Sequence, residues 1–79
     1  MSKLANEEFK DALDKITAQF TAEMLDIVKD SNEQLAMIML RYYNQADLEK
    51  AEQDFDSRVK ELRKSFNEQV INLINQLML

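Results

Sequence analysis

The sequence predicts an all-α fold: a long helical hairpin whose two arms pair with those of a second copy in an antiparallel four-helix bundle, a coiled-coil-like assembly. Three observations predict it. The 79 residues contain no Gly and no Pro, so nothing punctuates the chain strongly. The composition is rich in Ala, Leu, Glu, Lys, Gln and Met, side chains that lose little freedom in a helix. Apolar residues recur in steps of three and four, and no useful length of chain alternates with the period of two that a strand needs.

The first arm is expected over about residues 3–43. From Phe9 its apolar positions fall at Leu13, Ile16, Phe20, Met24 and Ile27, which stay on one face at about 100° per residue. Asp30-Ser31-Asn32-Glu33 is a candidate break, because Asp30-x-x-Glu33 and Ser31-x-x-Gln34 both have the form of a capping box. The stripe nevertheless stays in phase beyond it through Leu35, Ile38 and Tyr42. A continuous helix would set Ser31 and Gln34 into the seam, where polar side chains loosen packing or fix register.

The turn is expected at about 44–47, in Asn44-Gln45-Ala46-Asp47. The acidic first turn that follows (Asp47, Glu49, Glu52) suits the positive end of a helix dipole, and Asn44 or Asp47 is the expected cap. The second arm, about 47–79, carries Leu48, Ala51, Phe55, Val59, Leu62, Phe66, Val70, Leu73 and Leu77. As far as Phe66 this stripe spans about 80° of arc, enough for one neighbour; from Val70 it widens to about 160° as Ile71, Ile74 and Met78 join. A turn near residue 45 sets Leu35–Tyr43 beside Leu48–Phe55 and Ala12–Thr21 beside Val70–Leu79.

Two apolar surpluses follow. At the end of the first arm, Leu35, Ile38, Met39 and Tyr42 are expected to face the seam, while Met37 and Leu40 project to the other side near Arg41. At the end of the second arm, one neighbouring helix cannot cover Val70–Leu79. An antiparallel, isologous dimer brings the turn end of one copy beside the open end of the other and buries both. Its expected core is Phe9, Leu13, Ile16, Phe20, Met24, Ile27, Leu35, Ile38, Phe55, Val59, Leu62, Phe66, Val70, Leu73 and Leu77. The length points the same way, since one small domain of residues 1–79 buries only about 60 to 65% of its unfolded surface and a second copy supplies the missing core.

Function is read largely by exclusion. Without Cys or His the chain has no disulfide framework, thiol chemistry, zinc finger or Ser–His triad, and without Gly it has no phosphate-cradling loop of the usual kind. Asp54-Phe55-Asp56 lacks the Gly and terminal Glu of a calcium loop. The acid pairs Glu7-Glu8, Asp11/Asp14 and Asp54/Asp56 read as solvated faces, because Asp11–Lys15, Asp54–Arg58 and Asp56–Lys60 have the favourable i,i+4 spacing. No enzyme, cofactor or metal site is expected. A net charge of −5 and a pI of about 4.6 argue against direct nucleic-acid binding. The charged N-terminus and a longest apolar run of six residues, Leu35–Leu40, argue against a signal peptide or a membrane span, so a soluble cytoplasmic protein is expected.

These readings imply a small non-enzymatic protein-binding module, a homodimer that regulates, inhibits, sequesters or chaperones a protein partner. The alternative is a structural scaffold or oligomerisation element built from the same surfaces. The residues expected to form the partner-binding or dimer interface are Met37, Leu40, Arg41, Tyr42, Tyr43, Val70, Ile71, Leu73, Ile74, Leu77 and Met78. Tyr, Met and Arg are enriched at interfaces.

Overall fold

The computed structural model describes residues 6–41 and 44–78, the side chains of Leu77 and Met78 excepted. Two long helices, α1 (Asn6–Arg41) and α2 (Gln45–Met78), run antiparallel as a hairpin about 61 Å long. Three of the four helix ends have a reason in the sequence. Glu7 and Glu8 occupy the first turn of α1 and Arg41 its last, both complementing the helix dipole. The side-chain oxygen of Asn44 accepts hydrogen bonds from the backbone N–H groups of Ala46 (2.9 Å) and Asp47 (3.4 Å), and its carbonyl accepts from Leu48 N–H (3.1 Å). Asn44 is therefore the cap, and Asp47 lies in the first turn.

This cap sets the helix start, and the register differs from the expected one. Helix α2 begins at Gln45, earlier than the expected boundary at 47, and the antiparallel pairing shifts with it. A turn centred on residue 45 would set Phe20 near Val70. Instead Phe20 meets Phe66, with ring centroids 4.7 Å apart and planes inclined at 45°, a contact worth about 1 kcal/mol beyond its buried area. In this register Ala12–Thr21 lie beside about 65–74, and Leu13 is opposite Leu73.

The break considered at Asp30–Glu33 does not occur, and α1 runs unbroken through it. Two of the side chains that had the form of capping boxes, Asp30 and Gln34, bond elsewhere. Gln34 Nε2 donates to Asp30 Oδ2 one turn away (3.4 Å), and Arg58 reaches across from α2 to pair with the same carboxylate. Arg58 thus bridges the arms rather than closing on Asp54, and among the described residues Asp30–Arg58 is the one ion pair within 4 Å. Both side chains are nearly half exposed, so this bridge contributes at most about 1 kcal/mol and acts mainly on register.

The seam holds the expected stripe. Phe9, Leu13, Ile16, Phe20, Met24, Leu35 and Ile38 of α1 and Phe55, Val59, Leu62, Phe66 and Val70 of α2 are half-buried, while Ile27, Ala51 and Leu73 are buried. Leu77 lies outside the described side chains. Ser31 and Gln34 do enter the seam as half-buried polar positions, in the same stretch as the small, buried Ala51. Met39 is the exception: it is 63% exposed rather than turned into the seam, because it lies about 100° beyond Ile38 and falls outside the arc that one neighbouring helix covers.

Candidate interaction surface

Two helices side by side form a single layer with two broad sides, and each side is written in both arms. On one side, near the turn, lies an open groove of about 890 Å³. Ala36, Met37, Ile38, Leu40 and Ala51 supply its apolar surface, and Asp30, Glu33, Asp47, Lys50 and Asp54 its charged rim. Leu40 is 84% exposed and Met37 half exposed, so the groove offers two large apolar side chains to solvent.

The same side continues toward mid-rod past Glu23, Asp26, Arg58 and Glu61, around the seam residues Ile27 and Leu62. The helical period explains the alignment. Glu23, Asp26, Asp30 and Glu33 are spaced three, four and three residues apart on α1, and Asp47, Asp54 and Glu61 are spaced seven apart on α2. The result is seven carboxylates on one side, against Lys50 and Arg58, with Arg41 at the turn end beside Met37 and Asp47. Among the described residues no three of these acids converge closely enough to hold a metal ion; they form a stripe rather than a cage.

The other side has a different character. Its hollow near the turn is lined by Val28, Ser31, Asn32, Leu35, Ala51, Glu52, Phe55 and Asp56, and a shallower depression by Gln53, Asp56, Ser57 and Lys60 follows. Met39 lies three turns beyond Val28 and Ile74 five turns beyond Asp56, which carries both exposed side chains onto this side, with Ile71 next to Ile74. Steps of five turns from Ala51, Asp54 and Arg58 on the acidic side end instead at Gln69, Asn72 and Gln76.

The residues expected at an interface are therefore divided. Met37, Leu40 and Arg41 flank the acidic groove, and Ile71 and Ile74 are exposed toward the opposite side. Val70 is half-buried, and Leu73, 6% exposed, is turned into the hairpin's own seam. Tyr42, Tyr43 and the side chains of Leu77 and Met78 lie outside the described residues. Sequence reasoning missed Met39, the exposed Leu25 on the first arm, and the acidic stripe. Comparison with protein-family models, with curated proteins and with solved structures finds no match to this chain.

The surface is mixed in character. Its polar groups are exposed carboxylates and amines that keep their hydration, and its apolar groups are flexible Met and Leu side chains that adapt to a partner's shape. Among the described residues no helix is long and apolar enough to cross a membrane.

Proposed function

We propose that the chain is a non-enzymatic protein-binding module that works as an antiparallel homodimer and regulates, inhibits, sequesters or chaperones a protein partner. The observation that carries this reading is the exposure, on one side of a 61 Å rod, of Met39 near the turn and of Ile71 and Ile74 near the open end. One chain cannot bring these together. Two antiparallel copies packed through this side place the Met39 end of one over the Ile71 and Ile74 end of the other, so a single isologous contact covers all three side chains in both copies.

Surface area supports the same reading. The hairpin exposes 6452 Å², whereas a compact monomer of 9.3 kDa exposes about 5,000 Å². The excess exceeds the roughly 800 Å² per partner that a standard interface removes. The dimer contact proposed here differs from the one the sequence suggests. Met37 and Leu40 lie on the acidic side, away from Met39, Ile71 and Ile74, so they are left for the protein partner.

Light scattering across a concentration series tests the proposal. The expected mass is twice that of the 9.3 kDa chain, falling to that of one chain in Ile71→Glu/Ile74→Glu. A single-chain mass for the unsubstituted protein at every concentration would refute the dimer. Growth beyond two chains would favour the scaffold reading.

A further inference from the structure

We infer that the acidic side binds a basic amphipathic helix of a partner protein, its apolar residues seated on Met37 and Leu40 and its Lys or Arg residues over Glu33, Asp54 and Glu61. The inference deepens the proposed binding function, and rests on it, by naming the chemistry of the occupant.

Charge decides the occupant. On this side seven carboxylates stand against Lys50, Arg58, Arg41 and, four residues before Glu33 at the outer edge, Lys29, a surplus of three negative charges out of the chain's −5. Asp30 is neutralised by Arg58, but Glu33, Asp47, Asp54 and Glu61 have no ion-pair partner within 4 Å among the described residues. Their fields add along a stripe that faces water, which favours a partner of opposite sign.

The chain's own second copy is a poor fit for this groove. Its surplus apolar segment, Val70–Leu79, carries no charge, and the only charged side chain after Lys64 is Glu68. A neutral amide face cannot answer the acidic stripe. The opposite side has a smaller imbalance, since Glu49, Glu52 and Asp56 are accompanied there by Lys60 and, two turns beyond Asp56, by Arg63.

Length and shape decide the form of the occupant. From Asp47 to Glu61 the stripe advances about 21 Å, the rise of a helix of about 14 residues. The groove is open and elongated, with large apolar side chains only at its turn end. This is the arrangement of a helix-in-groove contact, in which a few apolar anchors give affinity and flanking charges give orientation.

The test is a titration with an amphipathic peptide of about 18 residues, Leu on one face and Lys on the other, read by fluorescence anisotropy, with mass followed by light scattering. A Leu/Glu peptide of the same pattern is the control. The Leu/Lys peptide is expected to bind the unsubstituted protein, at least tenfold more weakly to Glu33→Gln/Asp54→Asn and to Met37→Ser/Leu40→Ser, and within threefold of the original affinity to Glu52→Gln/Asp56→Asn. Equal weakening by the two acid-to-amide pairs would reduce the effect to overall charge and overturn the proposal, as would equal binding of the Leu/Glu peptide. Loss of dimer mass in Met37→Ser/Leu40→Ser would place a second copy in the groove and also overturn it. Unchanged peptide affinity in Ile71→Glu/Ile74→Glu, or peptide binding by a protein that proves monomeric, would uphold the groove while the dimer reading stands or falls by its own mass measurement.

Discussion

On one side of the hairpin Met37 and Leu40 stand among Glu33, Asp47 and Asp54; on the other, Met39, Ile71 and Ile74 share a side on which acids and bases are more evenly matched. The same two helices build both sides, and neighbouring residues feed opposite ones, as Met37 and Met39 do. The contrast teaches that in a two-helix layer the unit of surface design is the helical step rather than the segment. Residues spaced by three, four or seven share a side, whatever lies between them. Most of a net charge of −5 can thus be gathered on one side while the other stays closer to neutral.

The comparison breaks most completely when the seam that both sides share is removed. Ile27→Ala is expected to cost about 3 kcal/mol, seen as a lowered urea midpoint, and to weaken dimer and groove together. Next in size, Ile71→Glu/Ile74→Glu should raise the dimer dissociation constant at least a hundredfold in sedimentation equilibrium, because each substitution enters a two-fold contact twice. Its helical content by circular dichroism should persist, since neither side chain is buried in the seam.

Salt separates the two sides by sign. Raising ionic strength from about 0.05 M to about 0.5 M should weaken Leu/Lys peptide binding several-fold and leave the apolar dimer contact unchanged or tighter. The smallest effect is expected at the bridge between the arms. Asp30→Asn should cost about 0.5 kcal/mol by urea denaturation, since an ion pair this exposed contributes little.

The fold was largely legible in the sequence because a seam is a one-dimensional signal. Steps of three and four from Phe9 to Ile38 and from Leu48 to Leu73 identify the buried face without reference to the partner arm. Where the helix might stop at Asp30–Glu33 was not legible, since Asp30 has a helix-compatible use, its pairing with Arg58, that depends on a residue 28 positions away. The start of the second helix was left between two positions because Asn44 and Asp47 are both good caps, and only backbone geometry selects Asn44. The surface was the least legible part. Counted along the chain the acids form no block, whereas Glu23, Asp26, Asp30 and Glu33, and Asp47, Asp54 and Glu61, have the same helical spacing as the core. Applying that period to charge would have found the stripe, and applying it to Met39 would have placed it outside the seam.

The division of roles between the two sides is tested most directly by spin-label distances within the dimer. The chain has no cysteine, so Asp56→Cys and Asp54→Cys each carry one label, two residues apart in sequence and on opposite sides. If the copies pack antiparallel through the Met39–Ile74 side, with helices about 10 Å apart, pulsed dipolar spectroscopy should give about 15 Å between the two residue-56 labels and about 35 Å between the two residue-54 labels. Closer labels at residue 54 than at residue 56, or no dipolar coupling at either site, would contradict the account.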